Sequence, residues 1–299
     1  MSRPALAATR SLDVIELFVS FPERTFTFSE VSRATKINTA SCHAILTVLT
    51  ERGYLLRSGN KTFRLGPALV ATGRVAKQTL PIVARAEIAA RRLFEEIAVP
   101  VLLSTVAGGD ILAILSLPDE AGNDAGMRSG ERLPLIPPLG VPFLAWGPEQ
   151  EVDNWLNRRM PALPPEVCER LREDLRLTRQ HGYHIHLRSA AQRGIAMRIS
   201  DMAQHKSITD YRTQVNQAVE HFEELMHQND TYDADALYTP QYISAPIFDQ
   251  SGRCVLSMGV GGFVSPMTGR DLLDYAERVT DACLGVMRGD RAAPGPVVG

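Results

Sequence analysis

The chain has 299 residues, enough for two ordinary domains, with 44% hydrophobic residues, 22% charged residues and a net charge of −2. No apolar run approaches the roughly 20 residues of a membrane span, and the stretch from Met1 to Arg10 lacks a secretory apolar core, so a cytoplasmic protein without membrane attachment is expected. The four cysteines, Cys42, Cys168, Cys254 and Cys283, are far apart and form no CxxC pair, which excludes a zinc ribbon and a disulfide scaffold and leaves buried free thiols.

The charge is unevenly spread. Between Met1 and Lys77 stand eleven basic residues and five acidic ones, a local net charge of +6 in a chain whose total is −2. A basic module on an acidic body suits a protein that offers one face to phosphates.

In chain order, Ser11 is positioned to cap a first helix through Leu12, Ile15, Leu17, Phe18 and Val19, which Phe21-Pro22 ends. Thr27-Phe28-Ser29-Glu30 opens a second helix through Val31 and Ala34. After a break at Lys36-Ile37-Asn38, a third helix is expected from Thr39 to Arg52, with Ala40, Ile45, Val48 and Leu49 as its apolar stripe and Gly53 as its stop. Tyr54–Arg57 and Thr62–Leu65 read as two strands around the turn Ser58-Gly59-Asn60-Lys61. Helix, helix, short turn, helix and basic hairpin is the plan of a winged helix-turn-helix.

Helical texture returns from Pro67 to Ala98, interrupted at Pro81. Beyond Pro100, Val101–Val106 and Ile111–Leu115 are strand-like around Gly108-Gly109-Asp110. Val152–Met160 and Val167–His181 read as helices, Tyr242–Phe248 and Cys254–Val260 as a strand pair, and Asp271–Met287 as an amphipathic helix. The second half is therefore α+β, with helices flanking an antiparallel sheet. Between Gln204 and Tyr238, Val215, Val219, Phe222, Leu225 and Met226 suggest a further amphipathic helix, readable as a lid or as an oligomer contact.

Taken together, these segments resemble the isocitrate lyase regulator (IclR) family of transcription factors. The resemblance is carried by Ser11–Leu17, Phe28–Val31, His43–Leu55 and Phe63–Gly66, then by Gly130–Leu135 and Ser244–Asp249. It implies residues 1–76 as a winged helix-turn-helix DNA-binding domain, 77–98 as a linker helix and 99–290 as a GAF-like effector-binding domain. Residues 291–299, rich in Pro and Gly, complete the chain as a disordered tail. It also implies a homodimer, often assembled into a homotetramer as a dimer of dimers. The expected function is a ligand-responsive regulator, a repressor of a catabolic operon, whose partners are double-stranded operator DNA and a small organic effector. No cofactor and no metal is expected.

A recognition helix reads bases from its N-terminal end, here Asn38, Thr39, Ser41 and His43. Lys61 and Arg64 on the wing, with Arg10 and Arg57, are the expected phosphate contacts, and Ser29 at the start of the second helix is a further DNA-binding candidate. The family's usual basic residue near Thr39 and arginine at Ala44 are missing, so the operator should differ from the common one.

In the second half the chain departs from the pattern that the resemblance implies: Gly259 and Gly261 stand where the family often has serines that hold the effector's carboxylate, and Tyr242 where it often has a small polar residue. The stretch Ile136–Phe143 is almost wholly apolar. A roomier, less polar cavity is expected, lined by Met127, Leu139, Phe143, Tyr242, Met258, Gly259 and Gly261 and suited to a hydrophobic effector. The same residues can equally pack a closed core.

His184 and His186, at strand spacing, share a face, but no carboxylate stands at a convincing distance to complete a metal site. There is no nucleophile elbow, phosphate loop or dinucleotide fingerprint, so the chain is read as a non-enzyme. The alternative is a small-molecule-binding or hydrolytic domain carrying a non-functional DNA module.

Overall fold

The computed structural model describes residues 5–118, 127–159, 161–187 and 230–289. The expected 204–238 helix up to residue 229 and the 291–299 tail lie outside these residues. By its internal contacts the chain divides between Pro81 and Ile82 into two compact units.

The first unit contains α1 (Leu6–Ser20), β1 (Phe26–Thr27), α2 (Phe28–Thr35), α3 (Thr39–Glu51), β2 (Leu55–Arg57), β3 (Thr62–Leu65) and α4 (Pro67–Thr79). The strands form an antiparallel sheet in the order β1-β3-β2. Thr27 caps α2 in a reciprocal box with Glu30: the Glu30 amide donates to the threonine hydroxyl, and the Thr27 amide donates to the carboxylate at 2.8 Å. The Thr27 amide, the Thr27 hydroxyl donating to the same carboxylate at 2.8 Å and the Arg24 guanidinium hold the Glu30 carboxyl below its usual range. The turn into α3 runs through Lys36, in the left-handed region at φ 56°, and Ile37, which is buried as a plug. Val14, Leu17, Phe18, Phe26, Val31, Cys42, Ile45, Leu46, Leu49, Leu55 and Phe63 fill the core around that plug. Fully burying such a side chain is worth about 1.5–3 kcal/mol.

Two local expectations are corrected here. Ser11 does not cap α1; it lies inside the helix and its hydroxyl donates to the Ala7 carbonyl at 2.9 Å, the back-bonding open to a mid-helix serine. Ala40 and Val48 are not in the buried stripe of α3. Burial falls on Cys42, Ile45, Leu46 and Leu49, and at about 100° per residue that leaves 40, 44 and 48 on the opposite side.

The second unit contains α5 (Pro81–Ile97), β4 (Val101–Ala107), β5 (Asp110–Leu117), β6 (Arg132–Pro134), α6 (Val141–Leu144), α7 (Glu149–Leu156), α8 (Pro165–His181), β7 (His184–Leu187), β8 (Leu237–Tyr238), β9 (Pro240–Phe248), β10 (Cys254–Gly261), β11 (Met267–Thr268) and α9 (Gly269–Gly289). Six strands make one antiparallel sheet in the order β6-β5-β4-β10-β9-β7. Alternation along these strands separates two cores. On one face Val101, Leu103, Ile185, Ile243, Ala245, Ile247, Met258 and Val260 pack with Ala86, Ala90 and Leu93 of α5 and Leu272, Ala276, Val279 and Cys283 of α9. On the other, Leu102, Ile111 and Ala113 pack with Leu135, Val141, Leu144, Val152, Trp155, Leu171 and Leu175. All four cysteines are free, with Cys42 and Cys283 buried. None of the helices described is long and apolar enough to cross a membrane.

Candidate nucleic-acid interface and effector face

In the first unit Asn38, Thr39, Ser41 and His43 lie at the start of α3 and Arg57, Lys61 and Arg64 on the β2–β3 hairpin, while Arg10 lies on α1 and Ser29 on α2. Asn38 is the N-cap of α3, its Oδ1 accepting from the Ser41 amide at 2.9 Å. The Ser41 hydroxyl in turn accepts from the Arg10 guanidinium at 3.4 Å. Asn38, Ser41 and Arg10 thus support the helix start as well as flanking it. Thr39 and His43 are exposed, and the His43 ring stands edge-on to Phe28 with centroids 6.2 Å apart. Ser29 is exposed in the first turn of α2.

The hairpin turn closes with the Lys61 amide donating to the Ser58 carbonyl at 3.0 Å and the Ser58 amide to the Thr62 carbonyl at 2.8 Å. Lys61 itself sits at φ 63°, a conformation that favours glycine. Arg64 pairs across the ladder with exposed Leu56. The Arg57 guanidinium lies 5.8 Å from the centre of the Phe63 ring. Arg57, Lys61 and Arg64 are all exposed, so three cations project from one short hairpin. The sequence reading did not place the exposed Ala40, Thr47 and Val48 of α3 or the exposed Lys36 of the turn among the candidates. Anchoring the helical phase on Cys42 and Leu46 would have found them.

In the second unit the register lines up a polar row across the sheet. His184 pairs with Ser244, Ser244 with Gly259, and Gly259 with Leu102. Beside it, His186 pairs with Tyr242 and Tyr242 with Gly261. Ser104, Ser116, Ser244, Ser257 and His184 are all buried polar groups, and the alternation puts them on the face opposite α5 and α9. Met127, with half-buried Leu139, Phe143 and Tyr242, belongs to the cluster over this face.

Met258 does not belong with them. It is fully buried in the other core, because it lies between Ser257 and Gly259 on the strand and so points to the opposite face. The two glycines also leave less space than expected. A Cβ on Gly259 would stand 2.5 Å from the Tyr242 phenol oxygen, and one on Gly261 would stand 3.0 Å from the ring. Tyr242 therefore lies over both glycines and occupies the room their missing side chains release. Burial pushes its phenol well above the usual range.

The segment over this face is pinned by α7 and the residues after it. The Trp155 indole N–H donates to the Leu139 carbonyl at 2.9 Å, and Arg158 donates to the Leu135 carbonyl at 3.2 Å. The His184 and His186 rings lie 6.2 Å apart. Burial, with His186 beside it, lowers the His184 imidazole from 6.5 to about 3, and burial lowers His186 to about 4. Among the described residues no cluster of three or more His, Cys, Asp or Glu suits a metal ion.

The lowered imidazoles set a pH dependence. In the unfolded chain both histidines titrate near 6.5, so between that pH and about 4 the unfolded state binds more protons than the folded state. Stability therefore falls as pH drops below 6.5. The thermal midpoint of the second unit should decline between pH 7 and 5, and His184→Gln should flatten that decline. A midpoint equally flat in both proteins over this range would contradict the burial of neutral rings.

The chain thus carries a winged helix-turn-helix unit with a basic hairpin and, after it, an α+β unit with a polar row inside a covered sheet face. Residues 7–59 match the family model of the IclR helix-turn-helix domain, and the fold over nearly the whole chain is that of IclR transcriptional regulators. The IclR regulator of Alicyclobacillus acidocaldarius aligns over 96% of this chain and 99% of its own, with 15% identity and a TM-score of 0.67. An IclR homologue of Microbacterium hydrocarbonoxydans, solved in complex with 4-hydroxybenzoate, aligns over 96% and 100%, with 16% identity and a TM-score of 0.63. HmgR of Pseudomonas aeruginosa aligns over 95% and 99%, with 15% identity and a TM-score of 0.60. No curated protein matches the chain in sequence.

Proposed function

We propose that the protein is a cytoplasmic, ligand-responsive repressor of a catabolic operon. It binds double-stranded operator DNA through α3 and the β2–β3 hairpin and a small organic effector against the polar face of the second unit. The observation that carries this reading is the first unit itself: a helix capped at its N-terminus and exposed along one side, next to a hairpin bearing Arg57, Lys61 and Arg64. Phosphate contacts from such cations, with a helix start aimed at base edges, are what operator binding needs.

The protein acts as a homodimer or a dimer of dimers. Supporting this, α4 buries no residue, and Val70 is 75% exposed. An apolar helix surface of this kind suits a second copy.

The effector has an apolar body, consistent with Met127, Leu139 and Phe143 over the sheet. It also has an uncharged polar group, consistent with Ser244 and the neutral His184 and His186. A carboxylate would need paired donors or a cation. A similar fold was solved with 4-hydroxybenzoate; its aromatic ring matches the apolar body proposed here, whereas its carboxylate is the group that this face is not equipped to hold.

A thermal-shift screen tests the effector. Uncharged aromatic or alicyclic compounds should stabilise the protein, and each should change operator affinity by the factor by which operator changes its own affinity. Stabilisation by small dicarboxylates alone would overturn this effector class.

A further inference from the structure

From Thr39 to Glu51, α3 contains no lysine and no arginine. Its exposed side is two rows at four-residue spacing: Thr39, His43 and Thr47 in one, and Ala40, Ala44 and Val48 in the other. Val48 is 54% exposed, a large apolar side chain left in water on this side of the helix. Glu51 and Arg52 stand at the C-terminal end, away from the end that reads bases.

These residue types limit what the helix can read. Guanine is specified in the major groove by a bidentate arginine or lysine at O6 and N7, and the helix has neither. Adenine is specified by a bidentate asparagine or glutamine. Asn38 is the one amide at the helix start, and its carbonyl oxygen is taken by the Ser41 amide. What remains is a strip of methyl groups from Ala40, Ala44, Val48, Thr39 and Thr47, with two hydroxyls and one imidazole. The major-groove group that matches a methyl strip is the C5-methyl of thymine. The cations needed for affinity stand beside the helix instead, at Lys36, Arg57, Lys61 and Arg64.

Building on the operator-binding reading above, we infer that α3 recognises thymine methyl groups, so that each operator half-site is thymine-rich where this helix lies and guanine is not read there. Binding strength comes from phosphate contacts and sequence preference from apolar contact.

The test begins with selection of bound duplexes from a random pool by the full-length protein. Each thymine of the selected half-site is then replaced by uracil, which removes only the methyl, and each guanine by 7-deazaguanine, which removes only N7. Uracil at contacted positions should weaken binding about three- to four-fold each, the worth of one buried methyl group. The guanine replacements under α3 should change affinity less than about two-fold. Ala44→Arg, at an exposed position, should acquire a guanine preference and sensitivity to 7-deazaguanine. A selected site that is indifferent to uracil but sensitive to 7-deazaguanine in the unmodified protein overturns the inference and leaves the regulator reading intact. Failure to select or bind any duplex at low salt overturns the regulator reading itself.

Discussion

Replacing Arg57 and Arg64 with alanine and Lys61 with glycine is expected to weaken operator binding by more than about a hundred-fold at roughly 0.1 M salt. The slope of log K against log salt should fall by about three for each bound protomer. The expectation follows from counterion release: each cation that pairs with a phosphate adds nearly one unit to that slope, and so close to ten-fold in affinity at this salt concentration. The three side chains are exposed and project from one hairpin, so removing them leaves the core of the first unit in place. Arg57 also rests on the Phe63 ring, a contact worth about 0.5–1 kcal/mol at an exposed site. Glycine at 61 offsets that loss, because the lysine is held at φ 63°, where a side chain costs of order 1 kcal/mol. Thermal unfolding of the first unit should therefore change little while binding collapses. An unchanged salt slope, measured by fluorescence anisotropy, would mean that the hairpin does not touch phosphates.

Gly66→Ala is expected to have the largest effect on the stability of the first unit, about 3 kcal/mol destabilising. The cause is not backbone conformation, since Gly66 has an ordinary φ of −107°. A Cβ there would stand 2.2 Å from the Gly53 carbonyl oxygen and 2.9 Å from its carbon, both rigid backbone atoms. The same carbonyl accepts the Ala68 amide at 3.1 Å, and the Gly66 amide donates to the Tyr54 carbonyl at 2.8 Å. Relief of the clash would have to break one of these bonds, which join the end of α3, the hairpin and the start of α4. Gly59→Ala is the control: no atom lies within 4 Å of its added methyl, and a surface change of that kind stays within about 0.5 kcal/mol. Denaturant melts that show equal midpoints for the two variants would refute this packing argument.

The first unit was largely legible in the sequence because its signals are local. Thr27 with Glu30, the Lys36–Asn38 break, Gly53 and the Ser58–Lys61 turn each act within a few residues of themselves. The errors there were of phase and extent. Ser11 has a hydroxyl fit for capping but lies mid-helix, and the exposed stripe of α3 was misplaced because Ala40 and Val48 are apolar. The two-residue strand β1 is too short to carry any periodic signal.

The second unit was legible in class but not in register. The alternation Met258-Gly259-Val260-Gly261 already requires Met258 to face away from the two glycines. The position of Tyr242 over those glycines, in contrast, depends on the β9–β10 pairing of residues some twenty apart, which no local pattern encodes. Nor does the sequence show that Ser104, Ser116, Ser244 and Ser257 end up buried on one face, since each sits in a mixed polar and apolar run. The neutral state of His184 and His186 likewise follows from burial that only the assembled sheet provides.

The most direct test of the regulator reading is an anisotropy titration of the full-length protein against the duplex flanking its own coding sequence, at two salt concentrations and with random duplex as competitor. Saturable binding that outcompetes random duplex, weakens steeply with salt and is reduced by His43→Ala is the predicted result. Binding equal to that of random duplex, or none at low salt, would contradict it.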